Sequence, residues 1–205
     1  MKRAVLFGLV MCLLLCGYGS SYAGFGATGA INFAKLTGDD VEDVDSRTAI
    51  AGGIYLVFPV SPLLAFQGEL LYAMKGGTVS GSDPEIGEYD FTFKLDYIEV
   101  PLLVRINVPT AGVMKPFLVF GPALGFNTSA KGKLEALGVS FETDLEDVKD
   151  FDIGLVLGGG VGFPLMGYVA SVGVRYEKGL STIDDSEEEA DVKNSVIAVV
   201  VSIGK

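Results

Sequence analysis

The strongest constraint on the fold of this chain is an alternation of side chains with a period of two residues. In the segment PLLAFQGELLYAMKGG, which begins at Pro62, one face carries large apolar residues and the other mostly small or charged ones. Successive side chains of a β-strand point to opposite faces, so this pattern predicts a strand with one apolar face. No apolar run after residue 23 approaches 18 residues, so the pattern does not predict a membrane-spanning helix.

Eight segments share this alternation. We place them at residues 24–36, 47–58, 63–78, 88–108, 115–134, 142–163, 166–182 and 190–204. The second, fourth and sixth connections between them are short and almost uncharged, whereas the other four are longer and acidic. These four hold 5, 4, 7 and 6 carboxylates in chain order, which is 22 of the 26 in the chain. The acidic residues therefore gather at one end of the molecule.

An even number of strands, short turns at one end and long charged loops at the other are typical of an outer-membrane β-barrel. The predicted fold is all-β, an eight-stranded antiparallel up-and-down transmembrane barrel over residues 24–205. Closure of a barrel satisfies every backbone polar group in lipid. A soluble β-sandwich or lipocalin-like barrel is the alternative, although the 28 glycines suit a crowded barrel interior better than a wet surface.

Two aromatic girdles are also expected, near the short turns (Phe58, Phe66, Phe163, Tyr168) and near the acidic loops (Tyr72, Phe126, Phe151, Tyr176).

The first 23 residues have the layout of a signal peptide. Lys2 and Arg3 precede an apolar run from Ala4 to Cys16, and small residues lead to a cleavage site after Ala23. A membrane anchor is the alternative, but the apolar run is short for a span of about 20 residues. A lipoprotein is a further alternative, although Leu15 is large for the position before a lipidated cysteine. The expected destination is the bacterial outer membrane.

The amino-acid composition limits the catalytic and binding functions that the chain can have. The chain has no His, which removes the commonest general base and zinc ligand, and both cysteines lie in the predicted signal peptide. A net charge of −11 argues against nucleic acid as a partner. We therefore expect a protein that is not an enzyme and holds neither cofactor nor resident metal.

Several ionised residues fall on the inward face of the predicted barrel. On the lipid face an Arg or Lys near the midplane would cost about 2–4 kcal/mol, so these residues must face the lumen. We expect Glu69 and Glu99 to form an ion-pair network with Arg105 and Arg175 that plugs the barrel. Lys75 and Glu177 share the inward face. A path for protons or a small solute is the alternative.

The first acidic connection is a candidate cation site. Its carboxylates could bind Ca²⁺ weakly or bridge to lipopolysaccharide phosphates, although the segment lacks the glycine and spacing of a calcium-binding loop. A charge run is more often a solvated loop. The residues concerned are Asp39, Asp40, Glu42, Asp43 and Asp45.

Four sequence landmarks follow one another along the chain: AFQGELLYAMKGG, LDYIEVPLLVRI, PFLVFGPALGF and VRYEKGLSTID. Together with Asn194 before the last apolar run, they resemble the landmarks of the bacterial PorT family of outer-membrane β-barrels. The resemblance implies a barrel over the whole chain after residue 23, but no specific activity. One departure is the ending VVVSIGK, since such barrels usually end in an aromatic residue that the assembly machinery recognises.

The strand LDYIEVPLLVRINVPT poses a question of register. The apolar residues Phe91, Phe93, Leu95 and Tyr97 are out of phase with the apolar residues that follow Tyr97. Because Pro101 cannot donate a ladder hydrogen bond, we expect a bulge or local irregularity there, and a bulge would let the strand change face. Alternatively, the strand rises above the membrane near Tyr97.

The expected function is structural or is the binding of a ligand or partner through the long acidic outer loops. Outer-membrane lipid, lipopolysaccharide and the barrel-assembly machinery are the expected partners. The alternatives are a narrow solute path and a soluble periplasmic lipid-binding barrel.

Overall fold

A computed structural model describes residues 24–38, 44–83, 87–136, 138–186 and 190–205. The signal peptide predicted at residues 1–23 lies outside this range. The described residues contain no helix that is long and apolar enough to cross a membrane.

The described chain forms ten β-strands, of which eight are long. Their bounds are β1 (Gly24–Thr37), β2 (Val44–Asp45), β3 (Arg47–Pro59), β4 (Leu64–Asp83), β5 (Gly87–Asn107), β6 (Lys115–Ala136), β7 (Val139–Asp144), β8 (Phe151–Leu165), β9 (Tyr168–Gly179) and β10 (Lys193–Gly204).

The eight long strands close into a ring of antiparallel pairs. The order around the ring is β1, β3, β4, β5, β6, β8, β9, β10 and back to β1. The closing pair runs from Gly26 opposite Gly204 to Thr37 opposite Lys193. The short strands lie outside the ring order, since β2 pairs with β4 and β7 with β6. The predicted eight-stranded up-and-down barrel is confirmed.

The two faces of the wall match the predicted alternation. On β4 the inward residues Ala65, Gln67 and Glu69 are buried, whereas Phe66 on the outer face is 58% exposed. Such exposure of large apolar side chains on every second residue is expected of a wall that faces lipid. Of the predicted girdle residues, five are among the exposed large hydrophobic side chains: Phe66, Tyr72, Phe151, Tyr168 and Tyr176.

Two boundaries differ from the sequence prediction. The sixth segment was expected at 142–163, but β8 begins at Phe151 and residues 139–144 form β7 against β6. The second of the acidic connections is also mostly strand, because β4 and β5 continue as a hairpin to Asp83 and Gly87. The prediction ended the strands where charged residues begin. Outside the membrane both faces of a strand can meet water, so the β4–β5 and β6–β7 hairpins continue through charged residues beyond the apolar band.

The register of β5 answers the question posed by its sequence. Leu95, Tyr97, Glu99, Pro101 and Leu103 are all buried at alternate positions, so the expected change of face at Pro101 was wrong. The register against β6 shifts by one residue between Asp96 and Tyr97, and the pairing with β4 is interrupted at Val100 and Pro101.

The outer face supports the alternative that β5 leaves the apolar band near Tyr97. The hydroxyl of Tyr72 donates a hydrogen bond of 2.7 Å to the Asp96 carboxylate on this face. Because a carboxylate is costly in hydrocarbon, Asp96 marks a level at or above the edge of the apolar band. The inward apolar residues above this level line the barrel mouth.

Candidate functional site

The lumen is crossed by an ion pair between strands on opposite sides of the ring. Three strands separate β4 from β9 in either direction around the barrel. Arg175 on β9 donates two hydrogen bonds of 2.7 Å, from Nη1 and Nη2, to the two carboxylate oxygens of Glu69 on β4. Glu69 is 1% exposed. The bidentate geometry fixes both side chains across the bore.

A second ionic contact joins the same two strands further toward the loop end. The Nζ atom of Lys75 lies 2.5 Å from Oε1 of Glu177 on β9 and 2.8 Å from Oε2 of Glu99 on β5. The same ammonium lies 5.3 Å from the centre of the Tyr97 ring. Lys75 is 2% exposed, so its charge is balanced by the two carboxylates rather than by bulk water.

Arg105 takes a different position from the one expected. It was predicted to pair with Glu69 or Glu99, but its Nη1 donates to Gln67 Oε1 and its Nε to Asn107 Oδ1, both at 3.1 Å. Its guanidinium lies 3.7 Å from the centre of the Phe117 ring. Gln67 in turn donates to Glu69 at 2.5 Å, so an amide links Arg105 to the first ion pair.

A layer of hydrogen bonds without an ion pair lies at the level of Tyr97. The Nδ2 atom of Asn194 on β10 donates to the Tyr97 hydroxyl at 3.2 Å and to Asp152 Oδ2 at 2.9 Å. Ser181 donates to the other oxygen of Asp152 at 2.8 Å. Since β5 and β10 are also opposite in the ring, the contact of Tyr97 with Asn194 is a third link across the bore.

These layers leave little free space in the lumen. A cavity of about 40 Å³ lies among Glu99, Arg175 and Glu177, and one of about 20 Å³ lies beside Arg105 and Gln67. Each has room for about one or two water molecules. Side chains therefore fill the interior, as expected for a ring of eight strands.

The sequence pattern placed these residues on the inward face, but only their charges suggested which of them would pair. Lys75 and Glu177 belonged to the inward set, yet the expected network omitted them. Asp152 was counted with the loop carboxylates, although its alternation with Phe151 and Ile153 was the signal that it faces inward. Which lumen side chains pair depends on which strands lie opposite each other and on the height of each residue along the bore. The alternation of inward and outward residues specifies neither.

The predicted cation loop can be described only in part. Asp45 lies on β2 opposite Thr78, whereas Asp39, Asp40, Glu42 and Asp43 fall outside the described residues. Within the described ranges, no group of three or more acidic, His or Cys residues is arranged to hold a metal ion. Weak divalent-cation binding by this loop stays a prediction.

The strands beyond the apolar band carry exposed ion pairs. Lys94 on β5 pairs with Glu142 on β7, and its hydrogen bond and charge hold the pKa of that carboxyl below its ordinary value. On β6, Lys133 pairs with Glu135 of the same strand at 2.8 Å. Such exposed pairs contribute little to stability.

The chain matches, over residues 18–185, the family described as outer membrane protein beta-barrel domain. This family and the apolar outer face of the ring place the protein in the bacterial outer membrane, so the soluble periplasmic barrel is excluded. No curated protein matches the chain at a significant level.

Several solved structures are similar to this chain. Neisserial surface protein A is 15% identical with a TM-score of 0.49, and the match covers 88% of this chain and 96% of that one. The attachment invasion locus protein Ail of Yersinia pestis is 13% identical with a TM-score of 0.47, covering 89% and 99%. The outer membrane protein OprG from Pseudomonas aeruginosa is 13% identical with a TM-score of 0.44, covering 89% and 92%.

Proposed function

Because this chain belongs to the outer membrane protein beta-barrel domain family, we propose that it is a non-enzymatic barrel with a plugged lumen that binds a ligand or partner through its outer loops. The observation that carries the proposal is the pair of ionic contacts between β4 and β9. They span the bore at two levels, and the cavities beside them hold about 40 Å³ and 20 Å³. A hydrated solute is too large for either space.

The lumen carboxylates support a structural rather than a catalytic role. Glu69, Glu99 and Glu177 each lie within ion-pair distance of a lysine or arginine. A general acid or base must reach a bound substrate, whereas these groups face one another in the filled interior. Removing one partner would leave a buried charge without compensation.

Reconstitution in a planar bilayer tests the plugged lumen. Purified barrel, whose insertion is verified by the shift in gel migration on boiling, is expected to leave the bilayer silent. Stable stepwise currents from the intact chain would instead support the narrow solute path and overturn the plug.

The PorT-type assignment is part of this proposal. Three of the landmarks that resemble the PorT family supply the lumen contacts: AFQGELLYAMKGG contributes Glu69 and Lys75, LDYIEVPLLVRI contributes Glu99, and VRYEKGLSTID contributes Arg175 and Glu177. The shared residues therefore describe how the barrel is filled. They do not assign a role in protein secretion, which a comparison of secreted proteins with and without the gene would test.

The acidic loop end is the proposed contact surface. Its carboxylates would meet lipopolysaccharide phosphates through divalent cations, and the barrel-assembly machinery would insert the chain. Cross-linking on intact cells followed by purification of the barrel would identify what the loops contact. Recovery of no specific adduct in either the presence or absence of Mg²⁺ would count against the binding role.

A further inference from the structure

A cavity of about 380 Å³ lies at the loop end of the barrel, beyond the layer of Tyr97. Nine of its twelve lining residues are hydrophobic. Leu36, Leu95 and Ile183 contribute to an apolar cluster with Tyr97 at its base, and these four side chains are at most 6% exposed. We call this cavity the outer cup. Since Tyr97 and the Lys75 contacts fill the bore below it, the cup is closed toward the lumen.

The walls of the outer cup are held by backbone hydrogen bonds between different connections. Val44 on β2 pairs with Val79 on β4, which forms one wall. On the other side Val148 forms a bridge with Asp184, and the N–H of Lys149 donates to the carbonyl of Ile183 at 2.8 Å. The cup is therefore built into the fold, as most ligand sites are.

The polar part of the lining is acidic. It consists of Glu146, Asp147 and Asp184. The Asp184 carboxylate accepts hydrogen bonds from the Ser186 hydroxyl and the Ala190 N–H. The positive charge of Lys149 also stabilises this carboxylate and contributes to its lowered pKa. Glu146 and Asp147 are exposed, and they leave the cup with an excess of negative charge at its edge.

We propose that the outer cup binds a small apolar organic cation. Its apolar body would lie against Leu95, Val148 and Val192, and its ammonium would face Glu146 and Asp147. The volume is within the range of about 300–1,000 Å³ found for small-molecule sites, and apolar lining with a few polar groups is their usual character. The inference rests on the proposed binding role of the loop end and names the ligand class.

Tryptamine is a suitable probe, because the chain has no Trp and the indole fluorescence reports only the ligand. The intact barrel is reconstituted in phospholipid vesicles without any other protein, and empty vesicles correct for partition into lipid. We expect saturable binding with a blue shift of the indole emission. Indole-3-acetate has the same ring with a carboxylate, and it should bind at least about fivefold more weakly because of the acidic edge. Equal binding of the two ligands, or none of tryptamine, overturns the proposal.

Two variants separate filling of the cup from loss of the fold. Val148→Phe occupies the cavity and should weaken tryptamine binding about tenfold or more. Val113→Phe makes the same change in an exposed short turn at the other end and should bind as the parent does. If Val148→Phe does not fold, Val79→Phe fills the cup from the opposite wall. If a folded cup-filling variant binds tryptamine as tightly as the parent, the ligand binds elsewhere and the proposed site is wrong.

A charge variant tests the acidic edge. Glu146→Gln with Asp147→Asn should weaken tryptamine about two- to fivefold at low salt, since exposed charge pairs are weak. Glu88→Gln with Glu135→Gln removes the same charge from other hairpins and should have no such effect. An equal effect of both pairs would show a general surface field and would contradict the site. A silent bilayer together with failed tryptamine binding would reject the cup while leaving the plugged lumen in place.

Discussion

Glu69 and Arg175 are 106 residues apart in the chain, yet their side chains meet across the barrel through two hydrogen bonds of 2.7 Å. They belong to strands on opposite sides of the ring. The contact therefore joins the two halves of the wall through the interior, independently of the ladder hydrogen bonds between neighbouring strands.

Removing either partner of this pair should destabilise the barrel strongly. Glu69→Ala or Arg175→Ala leaves a buried charge, and we expect a loss of about 3–5 kcal/mol in the free energy of unfolding. The double variant Glu69→Leu/Arg175→Met should recover most of this loss, since an apolar pair of similar volume replaces the charges. Urea unfolding in lipid vesicles measures all three.

The exposed pair of Lys133 and Glu135 provides the control. Lys133→Ala also breaks an ion pair of 2.8 Å, but outside the lumen, and should cost less than about 1 kcal/mol. If the lumen and surface variants lost similar stability, the lumen pair would not carry the role assigned to it.

Two neighbouring glycines of β8 should respond differently to an added methyl group. A Cβ at Gly160 would lie 2.5 Å from the carbonyl oxygen of Val172 and 2.8 Å from the Phe117 ring, so Gly160→Ala should cost about 1–3 kcal/mol. A Cβ at Gly162 meets nothing closer than 3.6 Å, so Gly162→Ala should change stability by less than about 0.5 kcal/mol. Thermal unfolding of the pair in the same lipid checks this, and equal losses would contradict the close packing at Gly160.

Single cysteines should report which end faces outward. The only cysteines of the chain, Cys12 and Cys16, lie in the predicted signal peptide. On intact cells a membrane-impermeant maleimide should label Glu88→Cys in the β4–β5 hairpin. Val113→Cys in a short turn should react only after the outer membrane is permeabilised, and Leu102→Cys on the lipid face should react poorly in both. The reverse labelling of the hairpin and the turn would invert the orientation.

The connection between β9 and β10 should loosen in acid. A hydrogen bond from the Ser186 hydroxyl, with others from the N–H groups of Ala190 and Ser186, lowers the pKa of Asp184. A carboxyl with a lowered pKa stabilises the folded connection above the ordinary aspartate range, and this contribution is lost as the pH falls through the lowered value. The protection factors of residues 180–186, which are exchange rates corrected for the intrinsic effect of pH, should therefore fall in strong acid.

Asp184→Asn gives the matched test of that carboxylate. It should speed exchange in the same residues at neutral pH and remove most of the acid dependence, while Asp185→Asn should leave both nearly unchanged. An acid response that persisted in Asp184→Asn would assign it to another group.

The fold was predictable from the sequence because the barrel wall imposes one rule on every strand. Inward and outward residues alternate, so Glu69 and Arg175 could be assigned to the lumen without coordinates. Their partnership could be guessed only from charge, and charge alone also proposed Arg105. The structure instead places the Arg105 guanidinium over the Phe117 ring, with hydrogen bonds to Gln67 and Asn107 rather than to a carboxylate.

The outer cup was hidden by the same rule. Phe93 and Leu95 appeared to be on the wrong face, since the expectation was that apolar residues face lipid. Above the apolar band the preference reverses, and an extended barrel hides its apolar residues inside as a soluble protein does. The sequence contains the phase change but not the height at which the membrane ends.

The links across the bore also affect the assembly and the unfolding of the barrel. Glu69 with Arg175, Lys75 with Glu177 and Tyr97 with Asn194 each join a strand of the first half of the chain to one of the second. None can form until the sheet has curled far enough for β1 to approach β10, so they belong to the last step of assembly. Interactions that are absent from a folding transition state slow unfolding rather than speed folding. The interior of this barrel therefore governs its lifetime in the membrane more than the rate at which it is inserted.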